Sequence, residues 1–340
     1  MNDWLILHGG ALGDLALTLH LALRLPGVET TSMMTVVSRV DPGDLSACRP
    51  SIRRISPEGI GLHWLHADGD ESPPERLREL ITGRRVLNAL NDSESAVHRR
   101  LLSLRARAVF SFDSRPDAQS SAHITMQWQS RLEGQGLLIP KCIHQHRGGV
   151  QLLVPDELRE RSRLSSLQEL ERTPRLTAGT EPGRYVRPRE GAGRYVLIHP
   201  GSGGRAKCWP LPCFINVARR LRESGEVVRF VVGPVEAERW SRDELDAIRD
   251  EFPLVESPSP TELLCVLAGA RALIGNDAGP AHLAALLGTP TVTIFGSTPP
   301  TVWRPLGPKA RYVKGNPESN PDDWGIDPAR VAASVTLGLV

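Results

Sequence analysis

Residues 271–306, RALIGNDAGPAHLAALLGTPTVTIFGSTPPTVWRPL, restrict the possible folds of this chain more than any other stretch. Ala272, Leu273 and Ile274 form a short apolar run ended by Gly275, and residues 291–295 form a second, rich in β-branched residues and ended by Gly296. Both read as strands of a parallel sheet covered on its two faces. Between them a short helix is expected. Pro280 suits its first helical position, because the fixed φ is already helical and the missing N–H would have had no partner there. Leu283, Leu286 and Leu287 recur at i, i+3 and i+4, and Gly288 followed by Pro290 ends the run. A helix starting straight off a strand end presents unpaired N–H groups at its partly positive terminus, which is a seat for phosphate. An ordinary crossover whose glycines only permit tight turns is the competing reading.

The rest of the chain extends this rhythm. Residues 4–8 form an apolar strand, Gly9, Gly10, Ala11, Leu12, Gly13 and Asp14 form the turn after it, and Leu15, Leu19, Ala22 and Leu23 mark an amphipathic helix ending near Pro26 and Gly27. A dinucleotide fingerprint would need glycine at His8 and an acidic residue at a spacing where none occurs, so a redox Rossmann site is disfavoured. Apolar runs at 34–37, 85–90 and 108–112 alternate with helical stretches at 74–81, 94–104 and 122–132, the pattern of an α/β layer with a largely parallel sheet. Residues 172–193, rich in Pro and Gly, read as an interdomain linker. A second β-loop-α unit follows: a strand at 195–199, the loop Pro200-Gly201-Ser202-Gly203-Gly204-Arg205-Ala206-Lys207-Cys208-Trp209-Pro210, and a helix near 212–222. Glycine in such a loop lets backbone approach phosphate closely, and Lys207 with Arg205 supplies the opposite charge. The Walker spacing is absent, which disfavours an ATPase. A strand at 227–232 leads into a helix opened by Gly233, Pro234, Val235 and Glu236. Asp327 and Pro328 open a last helix as cap and first-turn residue.

Composition narrows the function classes. With 340 residues the chain has room for two domains, and a net charge of +2 offers no bulk attraction for nucleic acid or an anionic membrane. Only Lys141, Lys207, Lys309 and Lys314 are lysines, so a lysine inside a glycine loop is informative. The five cysteines, Cys48, Cys142, Cys208, Cys213 and Cys265, are scattered without C-x-x-C, which indicates neither a disulfide framework nor zinc and fits a reducing cytoplasm. Met1 stands directly before a strand with no secretory signal, and no apolar run approaches the ~18 residues of a membrane span. A soluble protein is expected, with membrane contact at most peripheral. Asp68 and Asp70, though spaced as D-x-D, read as a solvated acidic loop, and His144 and His146, near Lys141 and Arg147, as a polar surface loop.

The run Asn276-Asp277-Ala278-Gly279-Pro280-Ala281-His282-Leu283, continued by Phe295-Gly296-Ser297-Thr298-Pro299-Pro300 and Trp303-Arg304-Pro305, resembles the signature of the heptosyltransferases, glycosyltransferase family 9. The loops around Gly10, Gly13 and Asp14 and around Ser202, Gly203 and Lys207 resemble the same family. The resemblance implies a GT-B fold: two doubly wound Rossmann-like α/β domains facing across a cleft, with an acceptor-side domain at 1–178 and a donor-binding domain at 179–326. It further implies a terminal helix at 327–340 that packs back on the first domain. It implies an inverting, metal-independent glycosyltransferase without a cofactor, taking a nucleoside-diphosphate sugar, ADP-heptose by family, and a lipid-linked or glycan acceptor such as lipopolysaccharide core. A cytoplasmic location, with contact at the inner face of the cytoplasmic membrane, would follow, and nucleic acid would not be a partner.

By the same resemblance Asp14 is the catalytic base, Gly10 and Gly13 form the acceptor-side loop, and Ser202, Gly203, Arg205, Lys207, Glu236, Asp277, Ala278, Gly279 and His282 bind donor, with Glu238 in reserve for Glu236. Residue types alone also allow Asp14 to be a helix cap and Glu236 to be a first-turn acid complementing the helix dipole. The family usually carries Thr or Ser where this chain has Ala278, so one hydroxyl near the diphosphate is missing. Two readings from other classes therefore stay open: a non-catalytic nucleotide-sugar-binding accessory protein, and a GT-B nucleotide-sugar epimerase or hydrolase.

Overall fold

The computed structural model describes residues 3–67, 71–140, 151–159 and 195–336. The proposed linker, the 178/179 boundary, Asp68, Asp70, Lys141, His144, His146 and Arg147 lie outside the described residues.

The first half runs β1 (Trp4–His8), α1 (Leu12–Ala22), β2 (Met33–Ser38), β3 (Ser51–Ile55), α2 (Glu75–Ile81), β4 (Arg85–Ala89), α3 (Ala96–Ser103), β5 (Ala108–Ser111) and α4 (Ile124–Glu133). Its strands form one parallel sheet of order β3-β2-β1-β4-β5, with Leu5 of β1 opposite both Thr35 and Val86. The second half runs β6 (Val196–His199), α5 (Leu211–Glu223), β7 (Val228–Val232), α6 (Pro234–Arg239), α7 (Arg242–Arg249), β8 (Leu254–Glu256) and α8 (Pro260–Gly269). It continues with β9 (Ala272–Asn276), α9 (Gly279–Leu286), β10 (Thr291–Phe295), α10 (Pro300–Trp303), β11 (Ala310–Lys314) and α11 (Pro328–Thr336). These strands form a parallel sheet of order β11-β10-β9-β6-β7-β8. In each sheet the winding reverses beside the first strand, between β1 and β4 and between β6 and β9. The loops there part to opposite faces and leave a crevice at the strands' carboxyl ends.

All but one of the apolar runs became central strands, the run at 108–112 forming the edge strand β5; β1, β9 and β10 are buried along their whole length. The strands that show no apolar run are β3 (SIRRI), β8 (LVE) and β11 (ARYVK), and all three are sheet edges. An edge strand faces solvent and is protected from stray pairing by charge, so hydrophobicity is absent where it would have marked the strand.

Helix α1 differs from expectation. It is not amphipathic in its setting: every residue from Leu15 to Ala22 is buried. One side covers the first sheet and the other meets α9, whose residues Ala281 to Leu286 are also all buried. A helix apolar all round belongs in an interior. Here that interior is the seam between the domains, and Leu15, Leu19, Leu283 and Leu286 share one core cluster.

Among the described residues the terminal helix packs within the second domain rather than back on the first. It starts as the sequence implies, with Asp327 Oδ1 accepting from Ala329 N at 2.8 Å. Val331, Ala332 and Val335 of α11 then bury against Phe214, Val217 and Leu221 of α5, an apolar face that the first domain does not have to supply. Among the described residues no helix is long and apolar enough to cross a membrane.

Candidate functional site

The glycine loop after β6 is held from below by Asn276, the last residue of β9. Its fully buried amide donates from Nδ2 to Pro200 O at 2.7 Å, and its Oδ1 accepts from Trp209 N at 3.0 Å. One side chain thus pins both ends of the loop, and Trp209 is secured again by Nε1 donating to Asp323 O at 2.7 Å. Within the loop Ser202 Oγ donates to Asp277 O at 3.0 Å. A side chain added at Gly203 or Gly204 would meet nothing within 4 Å, so the loop's crest borders open space.

That space is a cleft of about 480 Å³ lined by Ala11, Gly13, Asp14 and Leu17 from the first domain. The second domain contributes Ser202, Gly203, Gly204, Lys207, Asp277, Ala278, Gly279, His282 and Trp303. Residues from both halves of the chain line one opening because the amino ends of α1 and α9 meet across the seam. In both helices the N-cap residue is an alanine, Ala11 or Ala278, which has no side-chain acceptor to offer the first amides. Their leading amides and positive dipole ends therefore face the cleft, and at α9 no side-chain cap neutralises them. On the α1 side Asp14 does reach back, Oδ2 accepting from Ala11 N at 3.3 Å. Capping and placement in the cleft are both properties of this carboxylate, and among the described residues its Oδ1 has no partner.

The close approach depends on two glycines. A Cβ on Gly279 would lie 2.8 Å from Leu12 Cβ, and one on Gly13 would lie 3.2 Å from His282 Cδ2. Leu12 Cβ is fixed by its own backbone and cannot swing aside, so Gly279→Ala must push the helices apart. Helix propensity gains ~0.5–1 kcal/mol from such a change, whereas overpacking typically costs ~1–3 kcal/mol. The difference is a net destabilisation of up to about 2.5 kcal/mol, about 1 kcal/mol at mid-range, read as a lower urea midpoint at unchanged slope. A midpoint at or above wild type would mean that the helices do not meet as described.

The charged centre of the cleft is Asp277. Its carboxylate is only 9% exposed and is met by Thr298 Oγ1 donating to Oδ2 at 2.8 Å, His282 Nε2 at 3.3 Å from Oδ1, and Lys207 Nζ at 3.7 Å from Oδ2. Burial by itself would raise its pKa, but the bond and charge of His282, the Thr298 hydroxyl and the Lys207 ammonium together hold it below the usual carboxylate range.

The structure brings Asp14, Gly13, Ser202, Gly203, Lys207, Asp277, Ala278, Gly279 and His282 together, but not Arg205, Glu236 or Gly10. Arg205 and Lys207 share a 3₁₀ turn, where residues two apart project in different directions. Arg205 therefore points away, pairing with Glu244 and lying over the Trp240 ring at 5.2 Å. Glu236 is buried beneath the loop, its Oε2 accepting from Gly233 N at 2.9 Å and its carboxylate packed against Gly201. Burial, opposed by the Glu236 charge, keeps the neighbouring His199 imidazole below the usual histidine range. Glu238 is exposed. Gly10 borders a second cleft of about 400 Å³ at the carboxyl ends of the first sheet, with His8, Arg39, Arg115 and His63. It is also a spacer, since a Cβ there would lie 2.9 Å from Asp14 Oδ2.

Sequence reasoning missed Thr298, Trp303 and the pinning role of Asn276. All three stand inside the run quoted above, but no spacing rule says which polar side chain of a strand-end loop turns inward.

The chain matches a family model described as glycosyltransferase family 9 (heptosyltransferase) over residues 119–324. It is 32% identical over 137 residues to lipopolysaccharide heptosyltransferase 3 of Escherichia coli strain K12, covering 39% of this chain; the match spans about 40% of that relative's length. Among solved structures it is similar to a glycosyl transferase family 9 protein from Veillonella parvula DSM 2008, with a TM-score of 0.64 at 16% identity, covering 100% of this chain and 98% of the other. It is also similar to E. coli ADP-heptose lps heptosyltransferase II, with a TM-score of 0.61 at 18% identity over 99% and 98% of the two chains. At such identities the likeness speaks for the fold, and the two facing parallel sheets are the GT-B arrangement implied by the sequence.

Proposed function

Because the chain belongs to glycosyltransferase family 9, we propose that it is an inverting glycosyltransferase that moves a heptose from ADP-heptose to lipopolysaccharide core or a related glycan. The observation that carries this reading is that Asp14, with one carboxylate oxygen uncommitted among the described residues, lines the same cleft as Lys207 and the amino end of α9. Those are the groups that displacement at an anomeric carbon needs. A base on one side takes the acceptor proton, and positive charge on the other receives the leaving diphosphate.

In the reaction so read, Asp14 removes the proton of the acceptor hydroxyl as its oxygen attacks C1 of the sugar. The bond from C1 to the diphosphate oxygen breaks with its electron pair, and the configuration at C1 inverts. Lys207 and the amides at Ala278 and Gly279 bear the negative charge that collects on the diphosphate, while Ser202 holds the Asp277 backbone beneath it. The acceptor enters from the first domain's side, past Gly10 and Gly13, where the second cleft offers Arg39 and Arg115 at its rim. We further place the enzyme in the cytoplasm, reaching a lipid-linked acceptor from the inner face of the membrane.

Ala278 leaves α9 without a capping hydroxyl, which is the one observation that favours a binder or a hydrolase. A product assay separates these. With ADP-heptose and a lipid-linked core acceptor, glycosylated acceptor and ADP should appear together and only when both substrates are present. Heptose released without acceptor would make the protein a hydrolase, epimerised donor an epimerase, and tight ADP-heptose binding without product a non-catalytic binder.

The same assay tests the source of positive charge. Since Lys207 and the helix amides stand where a metal would otherwise serve, turnover is expected to persist in excess EDTA. Loss of turnover on chelation, restored by Mg²⁺ or Mn²⁺, would return Asp68 and Asp70 to consideration.

A further inference from the structure

The loop Gly296-Ser297-Thr298 after β10 has no task in the transfer described above, yet it abuts the charged centre of the cleft. The backbone of Asp277 is fixed by its N donating to Ile294 O at 3.2 Å and by Ser202 Oγ on its carbonyl at 3.0 Å. What remains to be decided is the rotation of the carboxylate, a torsion that is intrinsically broad for Asp. Of its three neighbours, Lys207 at 3.7 Å makes only an ion pair, while His282 reaches Oδ1 through a long hydrogen bond at 3.3 Å and Thr298 holds Oδ2 through the shorter, better-formed one at 2.8 Å. We propose that Thr298 is a positioning residue for the donor half of the cleft: its hydroxyl fixes the Asp277 carboxylate so that Lys207 and His282 stand ready for a nucleoside diphosphate. This rests on the reading of the cleft as a donor site.

The loop that carries Thr298 is itself held from two sides. Lys314, one of four lysines in the chain, donates from Nζ to Gly296 O and lies 3.4 Å from Thr298 O. Opposite, the Trp324 ring lies on Gly296, where any Cβ would collide with it. Trp324 has a φ of +58°, a conformation that costs an L-residue free energy and persists only when the surroundings impose it. Its backbone is locked by N donating to Asn320 O at 2.8 Å and by its carbonyl accepting from Asn316 N at 2.9 Å. Thus β11 and the segment before α11 clamp a three-residue loop whose inward polar group is the Thr298 hydroxyl.

The test is calorimetric titration with ADP of wild type, Thr298→Val, Thr298→Ser, Asp277→Asn and the Thr298→Val/Asp277→Asn double variant, with melting temperatures on the same preparations. Valine keeps the shape and removes the hydroxyl, so ADP affinity should fall about tenfold, the scale of one hydrogen bond to a charged group, while melting stays within a few degrees. Serine keeps the hydroxyl and should bind ADP within about twofold of wild type. In the Asp277→Asn background the valine change should add less than about twofold, because coupled residues are not additive. ADP affinity unchanged in Thr298→Val, a serine variant as weak as valine, or full additivity with Asp277→Asn would each overturn the role of the hydroxyl. A wild type that fails to bind ADP would instead overturn the donor-site reading itself.

Discussion

Asp14→Asn is expected to yield a folded protein that binds ADP-heptose with nearly wild-type affinity and turns over at least about 10²-fold more slowly. The hydrogen bond from Ala11 N to Asp14 Oδ2 can be kept by the asparagine carbonyl, so the start of α1 should survive. The lost function is proton removal, because an amide cannot take the proton of an attacking hydroxyl, and general-base assistance is typically worth ~10²–10⁴ in rate. Melting temperature, donor dissociation constant and turnover measured on one preparation separate the two roles. A stable, donor-binding variant with turnover within a few-fold of wild type would reduce Asp14 to a cap.

The second large effect is expected of Lys207→Ala. Among the described residues its ammonium is the only lysine nitrogen in the cleft lining, and in the reaction we propose it meets the diphosphate both before and during displacement, so binding and turnover should fall together. Loss of a charge-assisted contact weakens donor binding by about tenfold or more, and removing one stabiliser of transition-state charge typically costs ~10²–10³ in kcat. The structure adds to this. Lys207 also stands 3.7 Å from Asp277 Oδ2, so its removal leaves a largely buried carboxylate facing the incoming diphosphate with one fewer compensating charge. Lys207→Arg keeps the charge but not the compact ammonium, and should recover binding better than turnover. Donor affinity unaffected by the alanine change would remove Lys207 from the donor site.

Some features were legible in the chain because they are local. Alternating apolar runs and turn residues mark the strands that lie inside a sheet, since burial on both faces demands continuous hydrophobicity; β1 and β10 fall where the runs predict. Pro280 likewise marks the start of α9, where Gly279 and Pro280 occupy the first turn. The edge strands β3, β8 and β11 were illegible for the opposite reason, their exposure removing the pattern, whereas the edge strand β5 kept an apolar run and was legible. For the site, a glycine loop containing a rare lysine, and an aspartate after a Gly-rich strand end, indicated residues that do line one cleft. Arg205 and Glu236 carried the same kind of signal and point elsewhere, because direction depends on the turn geometry and on Glu244, Trp240 and Gly201, which are remote or unremarkable in the sequence.

By itself the sequence determined two parallel α/β layers and the positions of the glycine turns at their strand ends, because hydrophobic period, glycine and proline act within a few residues. Only the tertiary structure decided that α1 and α9 pack side against side with their amino ends together. That contact depends on Gly13 and Gly279 having no side chain opposite His282 and Leu12, each a residue of the other domain. It likewise decided that α11 stays on α5, where Val331, Ala332 and Val335 find a complementary apolar face. The Asp277 carboxylate follows the same logic. Its neighbours Lys207, His282 and Thr298 come from three separate segments, and the free energy of a buried charge is set by whatever polar groups the fold brings within hydrogen-bond reach.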